Sequence, residues 1–258
     1  LTYAGDLSNI DDEIHTSPRF TFHYGDVRNE RLVERLVESV DTIVHFAAET
    51  HVARSIHDDM DFFTTDVIGT QSLCRAVLRN RDAIRRFIHI STSEVYGTAR
   101  ADRMAEDHPL EPMSPYAAAK AGADRLVYSY VQTYNIPAVI IRPFNMYGPN
   151  QHPEKVTPRF ITSLLMGEPM TVHGGGGSLR DFTYVEDVVS ANIAAMKSSN
   201  KKIFGEAFNI GSGNRTSINK VTENITKLQN SNIKPIQIDP IIEPKHTLED
   251  RSKAKDLL

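Results

Sequence analysis

A tyrosine and a lysine four residues apart are the strongest chemical signal in the chain. Tyr116 and Lys120 lie in the run Tyr-Ala-Ala-Ala-Lys, and residues four apart share one face of a helix, where both side chains can face one ligand. At about 5 Å and an effective dielectric near 20, the ammonium would lower the phenol pKa by about 2 units, to about 8. Such a phenol can act as a general base near neutral pH. A solvated helix face fits the same spacing and stays open here.

A second group of polar residues follows a predicted strand. Residues 86–91 read Arg-Phe-Ile-His-Ile-Ser, and Thr92, Ser93 and Glu94 come directly after them. Ligands of open α/β sheets lie at the carboxyl ends of strands. Two hydroxyls and a carboxylate at this place can therefore orient a sugar and move a proton. The alternative is an ordinary turn with a local side-chain cap.

Alternating strands and helices must position these groups. Short apolar runs at 41–48, 86–91 and 138–143 are typical of buried parallel strands. Helical spacing occupies residues 63–79, and Ser114 with Pro115 predicts the cap and first turn of a helix that extends to Tyr134. The order predicts an α/β fold with a doubly wound parallel sheet.

The second half of the chain has a different pattern. Pro149, Pro153 and Pro158 punctuate loops, and four glycines at 174–177 predict a turn. A strand at 207–210 and a capped helix beginning near Thr216 follow. We therefore predict a first domain over 1–145 and a smaller lobe over 146–258, some segments of which return to the first domain.

Composition excludes several classes of protein. The 258 residues include 29 basic and 33 acidic side chains, a net charge of −4, so no basic field recruits nucleic acid. A membrane-spanning helix needs about 18 consecutive apolar residues, and no apolar run in the sequence is that long, so no membrane partner is expected. The single Cys74 and the lack of a secretory leader predict a cytoplasmic location. The histidines lack metal-ligand spacing, so no metal site is predicted.

Four ordered motifs resemble the NAD-dependent epimerase/dehydratase family, which comprises extended short-chain dehydrogenase/reductases acting on nucleotide sugars. The motifs are Thr92–Gly97, Ser114–Lys120, Arg142–Pro149 and Arg180–Asp187. Within that family, residues 1–5, 47–52 and 153–156 are most similar to dTDP-glucose 4,6-dehydratases. The resemblance covers essentially the whole chain.

The resemblance implies a Rossmann domain that binds NAD and a smaller C-terminal lobe that binds the nucleotide sugar. The implied cofactor contacts are Asp26, Val27, Ala47, Ala48, Thr65, Tyr116 and Lys120. The implied substrate contacts are Thr50, Thr92, Asn145, Lys155, Arg180 and Asn214. For Arg180 the alternative is a surface ion pair with Asp181 or Glu186.

The implied reaction is a dehydration that is redox-neutral overall. Tyr116 removes the C4 hydroxyl proton while the C4 hydride passes to NAD, and Glu94 then takes the C5 hydrogen as a proton. Water leaves from C6 and the hydride returns there, which gives a 4-keto-6-deoxy sugar. The implied catalytic residues are Thr92, Ser93, Glu94, Tyr116 and Lys120.

Two departures from the family pattern leave alternatives open. Ser93 stands where dTDP-glucose dehydratases usually have an aspartate, so the Ser-Glu pair also resembles GDP-mannose and UDP-N-acetylglucosamine 4,6-dehydratases and UDP-glucuronate decarboxylases. A UDP-sugar 4-epimerase is a further alternative, which Glu94 disfavours. No G-x-G-x-x-G occurs in the sequence, so we expect the family's first strand and glycine loop to be missing. An inactive sugar-nucleotide-binding fragment is the alternative of another class.

The resemblance also implies a homodimer built from two helices. The helices at 63–79 and 114–134 would pair with their copies in a second subunit. Leu126, Val127, Tyr130 and Tyr134 give the second helix more apolar surface than a sheet contact needs.

Overall fold

The computed structural model describes residues 2–258, so Leu1 of the predicted 1–5 motif lies outside it. The strands are β1 Thr42–His45, β2 Arg86–Ile90, β3 Ala138–Pro143, β4 Asn145–Tyr147, β5 Thr171–His173, β6 Leu179–Tyr184, β7 Ala207–Ile210, β8 Arg215–Ser217 and β9 Ile236–Ile238. The α-helices are α1 Asp12–His15, α2 Glu30–Val37, α3 Val52–His57, α4 Met60–Phe62, α5 Thr70–Arg79, α6 Pro115–Tyr134, α7 Val156–Leu165, α8 Val185–Lys197, α9 Ile218–Leu228 and α10 Ser252–Leu257. Short 3₁₀ turns lie at Leu7–Asn9, Ser93–Tyr96, Gly174–Gly176 and Lys201–Ile203, and a π-helical segment lies at Phe63–Gly69.

The main sheet is parallel throughout. Its strand order is β1-β2-β3-β7, with Ile43 opposite Phe87, and Ile141 opposite Phe208. Strand β7 belongs to the second half of the chain, so part of that half returns to the sheet formed by the first.

Helices cover both faces of this sheet. On one face, Phe87 packs with Val77 of α5 and Val127 of α6. On the other face, Ile88 packs with Val188 of α8. Successive strand side chains point to opposite faces, and both faces are buried here, which explains the continuous apolar runs of the strands. The predicted doubly wound α/β sheet is confirmed. Because Val127 is fully buried in this core, it is not part of an exposed helix surface, and that part of the dimer prediction is wrong.

The long predicted helix begins where its capping residues place it. Ser114 is the N-cap of α6, and its Oγ accepts a hydrogen bond from the Ala117 N–H at 3.1 Å. The helix ends at Tyr134, and the following Asn135 caps it in a left-handed conformation with φ of 55°. The other predicted helix, 63–79, begins as the π-helical segment and becomes regular only in α5. π-helical turns occur frequently at functional sites.

The second half of the chain forms two small sheets, β4-β6-β8 and β5-β9. Phe160 and Leu164 of α7 pack with Ile225 of α9 beneath them. The predicted cap of α9 is present, since the Ser217 Oγ accepts a hydrogen bond from the Lys220 N–H at 3.1 Å. This arrangement fixes β6, which contains Arg180, beside β4.

Within residues 2–258, no helix is both long enough and apolar enough to cross a lipid bilayer.

Candidate active site

The turn that contains Thr92, Ser93 and Glu94 lies at the carboxyl end of β2. Thr92 caps the 3₁₀ turn, its Oγ1 accepting a hydrogen bond from the Glu94 N–H at 3.2 Å. Gly97 closes the turn with φ of 71°, and a Cβ there would lie 2.3 Å from a backbone oxygen. The local cap considered as an alternative is therefore formed. Thr92 and Ser93 are nonetheless buried and Glu94 is only partly exposed, so the turn faces the interior.

Tyr116 and Lys120 lie in the first two turns of α6, against this turn. Their side chains are buried, with exposed fractions of 7% and 4%, so the interpretation as a solvated helix face is wrong. The Lys120 ammonium donates a hydrogen bond to the Ile90 carbonyl at 2.6 Å. This bond ties α6 to the last residue of β2.

The phenol of Tyr116 has a pKa above its usual value. Burial is the main cause, and the carboxyl groups of Glu94 and Asp66 raise the pKa further, while an interaction with the Thr92 side chain lowers it. The predicted lowering by Lys120 to about 8 is therefore wrong for this structure. The physical reason is that the Lys120 ammonium points to the Ile90 carbonyl while acidic groups face the phenol.

Glu94 lies among charged groups from three other elements. Burial raises the pKa of its carboxyl group, and so does Glu243, whereas Arg180 and Lys155 lower it. The Glu94 carboxyl therefore feels two cations and a second carboxylate from distant parts of the chain. A raised pKa makes a carboxylate a stronger base, so this group is suited to proton transfer.

Arg180 is paired with a carboxylate that sequence analysis did not identify. Its Nη2 donates a hydrogen bond to Glu243 Oε2 at 2.8 Å, and the Ser178 hydroxyl donates to Glu243 Oε1 at 2.6 Å. Arg180 is 4% exposed, so the alternative of a surface ion pair with Asp181 or Glu186 is wrong. The pair joins residues 63 positions apart, and no local pattern indicates it.

Asp181 and Glu186 have other surroundings. The Asp181 carboxylate is fully buried and accepts hydrogen bonds from the N–H groups of Ser212 and Gly213 at 2.8 and 3.0 Å. Glu186 is exposed in the first turn of α8. Asp181 thus holds the loop before Asn214, whose Nδ2 donates to the Ser212 carbonyl at 3.3 Å.

Lys155, which also lowers the pKa of Glu94, contacts Thr50. The Lys155 ammonium donates hydrogen bonds to the Thr50 carbonyl and Oγ1 at 2.8 and 3.2 Å. Glu154 lies 3.7 Å from the same ammonium and accepts a hydrogen bond from the Tyr3 hydroxyl at 2.9 Å. The contact joins the segment after β1 to the start of α7.

Asn145 begins β4 and has an unused acceptor. Its Oδ1 is buried and has no hydrogen-bond partner among the described residues. Buried polar atoms without a partner are rare in folded proteins. The atom is therefore available to a bound ligand.

Three of the five residues expected to contact only the cofactor line one cleft. Asp26, Val27 and Ala47 border a cavity of about 400 Å³ beside β1. Ala48 follows Ala47 at the end of β1, and Thr65 lies in the π-helical segment. Asp26 also forms an ion pair with Arg28 at 2.7 Å.

Two further features near the site were missed from sequence. Asp66 is fully buried in the π-helical segment, where its Oδ1 accepts a hydrogen bond from the Glu49 N–H at 2.8 Å. Burial raises its pKa to about 7, an effect that Lys120 opposes. An acidic residue between apolar helix positions is the signal that could have identified it.

The second missed feature is a buried polar network beneath the Glu94 turn. Arg142 Nε and Nη2 donate to Asp124 at 2.8 and 2.9 Å, and Arg142 Nη1 donates to the Tyr96 hydroxyl at 2.7 Å. The Tyr96 hydroxyl in turn donates to Asn209 Oδ1 at 2.7 Å. The network fixes the end of the 3₁₀ turn that contains Glu94.

No group of three or more histidine, cysteine, aspartate or glutamate side chains is arranged to hold a metal ion within residues 2–258. The buried His45 and His89 lie with ring centroids 5.4 Å apart. Burial and the nearby Lys120 lower both pKa values, that of His45 to about 3. Both rings are therefore neutral.

The chain is similar to known proteins along its whole length. Residues 1–258 match the family model described as GDP-mannose 4,6 dehydratase. The chain is 45% identical over 226 residues to the low-salt glycan biosynthesis protein Agl12 of Haloferax volcanii, covering 87% of the chain and 71% of that protein. It is 44% identical over 213 residues to a dTDP-glucose 4,6-dehydratase of Actinoplanes, covering 83% of the chain but only 65% of that enzyme.

A solved structure has the same fold. It is a double mutant of DesIV, a dTDP-glucose 4,6-dehydratase of Streptomyces venezuelae, with NAD bound. The two chains superpose with a TM-score of 0.93 at 35% identity, covering 99% of this chain and 78% of the other. The Rossmann-like α/β fold is thereby confirmed.

Proposed function

Because the chain belongs to the GDP-mannose 4,6-dehydratase family, we propose that it removes water from a hexose carried on a nucleoside diphosphate, with NAD as cofactor. The product is a 4-keto-6-deoxy sugar, and dTDP-glucose or a related sugar nucleotide is the substrate. One observation carries the proposal most directly. The hydrogen bond from Lys120 to the Ile90 carbonyl at 2.6 Å holds the helix of Tyr116 against the end of β2, directly before the turn that contains Glu94, so the two proton-transfer groups lie on adjoining elements.

Tyr116 is the proposed base for the C4 hydroxyl of the sugar. Its raised pKa leaves the phenol protonated in this structure, so positive charge is needed to form the phenolate. Lys120 is the chain's own source of that charge, once its ammonium turns from the Ile90 carbonyl. Thr92, which interacts with the phenol, then orients the C4 oxygen.

Glu94 is the proposed base for the hydrogen on C5. A ketone at C4 acidifies this hydrogen, and a carboxylate with a raised pKa is suited to take it. The proton taken from C5 then leaves with the C6 hydroxyl as water, and C5 takes a new proton from solvent when the hydride returns to C6. Ser93 is buried beside Glu94, and either a serine relay or Glu94 itself passes the proton to that hydroxyl.

Asp26, Val27, Ala47, Ala48 and Thr65, together with Tyr116 and Lys120, are the residues proposed to hold NAD. Ala47 and Ala48 follow the carboxyl end of β1, where ligands of open α/β sheets lie, and the buried tyrosine–lysine pair also fits this use. The hydride that leaves C4 and later returns to C6 is carried by NAD when it is bound.

Five polar residues are proposed to hold the sugar nucleotide together with Thr92. Asn145 offers an unpartnered oxygen toward the sugar. Lys155 and Arg180 flank Glu94 with positive charge, and a guanidinium matches the geometry of a diphosphate. Thr50 and Asn214 complete the proposed set, the first through its contact with Lys155.

A 4-epimerase or a UDP-glucuronate decarboxylase would use the same Tyr116 and Lys120. An epimerase has no need of a base at C5, so the half-buried Glu94 favours dehydration over epimerisation. An inactive binding fragment would bind the nucleotide sugar and release no product.

Assembly and location are also proposals. We propose a homodimer through α6 and the segment 63–79, where Phe63, Ile68 and Tyr134 are exposed apolar side chains. A cytoplasmic location is proposed because the chain has a single cysteine, which forms no disulfide.

The proposed function is tested by offering the protein NAD and five sugar nucleotides. These are dTDP-glucose, UDP-glucose, UDP-N-acetylglucosamine, GDP-mannose and UDP-glucuronate. A product about 18 Da lighter than its substrate supports dehydration, one about 44 Da lighter indicates decarboxylation, and an isomer of equal mass indicates epimerisation.

A further inference from the structure

A carboxylate of the chain itself lies against the cation proposed to bind the diphosphate. Glu243 accepts the Arg180 Nη2 hydrogen bond at 2.8 Å. The side chain of Arg180 is 5% exposed and that of Glu243 is 30% exposed. The guanidinium is therefore the fixed member of the pair, and the carboxylate is the member that solvent reaches.

The environment of Arg180 leaves few other partners for its charge. Its Nη1 donates to the carbonyl of Leu179 at 3.0 Å, and Glu243 is its only ion-pair partner among the described residues. Because a buried guanidinium needs a negative partner, Glu243 supplies in this structure the charge that a bound anion would supply.

Glu243 is held in place by a second bond. The Ser178 hydroxyl donates to its Oε1 at 2.6 Å, and the neighbouring Lys245 carbonyl accepts the Leu179 N–H at 3.1 Å. The loop after β9 is thus attached along the start of β6. The bond to Arg180 places Glu243 at the candidate site, where it also raises the pKa of Glu94.

We propose that Glu243 is an intramolecular competitor of the substrate's diphosphate for Arg180. The proposal rests on the proposed function, because it takes Arg180 as a diphosphate contact. A bound diphosphate must either displace the Glu243 carboxylate or bind next to it, where the two negative charges repel each other. Glu243 therefore weakens the binding of substrate and product. It thereby sets the affinity of the site for any nucleoside diphosphate, whatever its base.

The test measures binding of dTDP and of UDP by isothermal titration calorimetry to the unmodified chain and to Glu243→Gln. Glutamine keeps the size and an acceptor oxygen but removes the competing charge. Hydrogen bonds to charged groups are strong, so freeing Arg180 from the competing carboxylate should strengthen its bond to the diphosphate. We therefore expect the variant to bind whichever of dTDP and UDP has the higher affinity for the unmodified chain about tenfold more tightly. If the pair of Arg180 and Glu243 is only structural, the affinity of Glu243→Gln should be equal or lower, because loss of a structural contact does not improve binding.

Two further variants make the result specific. In Arg180→Gln the substitution Glu243→Gln should give no gain, since the contested cation is absent. Glu34→Gln removes the carboxylate of an exposed pair with Arg79 at 2.9 Å on α2, and it should leave both affinities unchanged.

The outcomes separate the two proposals. An affinity of Glu243→Gln equal to or below that of the unmodified chain overturns the inference, and if water loss is still observed, the proposed function stands. Failure of every variant to bind either nucleotide overturns both proposals. A gain that persists in the Arg180→Gln background also overturns the inference, because it would not act through Arg180.

Discussion

The Lys120 ammonium donates a hydrogen bond to the Ile90 carbonyl oxygen over 2.6 Å, and this bond joins the helix of Tyr116 to the strand that ends before Glu94. Both proton-transfer groups of the proposed reaction are thereby held by one contact between α6 and β2. The same bond keeps the ammonium away from the phenol, whose pKa stays high.

Tyr116→Phe should abolish product formation. The substitution removes the oxygen that accepts the proton of the C4 hydroxyl and keeps the ring, so the loss should be about 10²–10⁴-fold in rate. Steady-state assays with the best sugar nucleotide measure it. Tyr128→Phe is the matched control, since Tyr128 lies on the same helix and is 39% exposed; an equal loss in both variants would contradict the assignment.

Glu94→Gln should block loss of water while binding of the nucleotide persists. The amide keeps the shape of the carboxyl group but has no basicity, so the rate should fall by about 10²–10⁴-fold. The exposed Glu186→Gln serves as control. Retention of full activity in Glu94→Gln would remove Glu94 from the mechanism.

The pH profile of kcat should show the raised pKa of Glu94. A base must be ionised to act, so activity is expected above this pKa and is lost as the pH falls through it. Because the pKa is raised, the acidic limb should lie above the usual value of about 4.3. The pH profile of any residual activity of Glu94→Gln should lack this acidic limb. If the variant instead shows the limb at the same pH as the unmodified chain, a group other than Glu94 is responsible for it.

Arg142→Met should destabilise the fold. The substitution leaves the Asp124 carboxylate buried without its bidentate partner, and breaking a buried pair in this way costs about 3–5 kcal/mol in the free energy of unfolding. Chemical denaturation measures the change. Arg85→Met, which breaks an exposed pair with Asp41, should cost at most about 1 kcal/mol.

The same pair predicts a dependence of stability on pH. Arg142 and Arg125 hold the pKa of the Asp124 carboxyl below its ordinary value, against the effect of burial. For a lowered carboxyl pKa the stabilisation is complete above the unfolded-state value of about 3.9 and is lost as pH falls through the folded-state value. Asp124→Asn should therefore lose stability at neutral pH and differ less from the unmodified chain in strong acid.

Ile68→Arg should convert the proposed dimer into a monomer. Ile68 is 47% exposed in the π-helical segment, and a charge there would face its counterpart or the partner helix. Light scattering at micromolar concentration measures the mass. Leu228→Arg, at an exposed position of α9, is the control and should leave the mass unchanged. If the unmodified chain is already monomeric at this concentration, the proposal of a homodimer is wrong.

Local patterns in the sequence predicted the elements well. Ser114 and Pro115 predicted the start of α6 because a cap depends only on neighbouring residues. The strands were predicted because burial on both faces of the sheet leaves continuous apolar runs. The π-helical segment was not predicted, since its spacing of apolar residues resembles that of an α-helix.

Contacts between distant residues were beyond sequence reasoning. The pairing of Arg180 with Glu243 depends on how the loop after β9 lies along β6. The pKa of Tyr116 was predicted in the wrong direction because spacing says where Lys120 lies on the helix but not which oxygen its ammonium contacts. Asp66 was missed because its importance arises from burial beside Lys120.

The reaction class is tested most directly by one mass measurement in heavy water. With NAD and the preferred sugar nucleotide in D₂O, the proton taken from C5 leaves with the C6 hydroxyl, and C5 takes a deuteron from solvent when the hydride returns to C6. The expected product is therefore about 17 Da lighter than the substrate, from loss of water and gain of one deuterium at C5. An isomer of unchanged mass without deuterium, or a product that has lost carbon dioxide, would contradict the proposed dehydration.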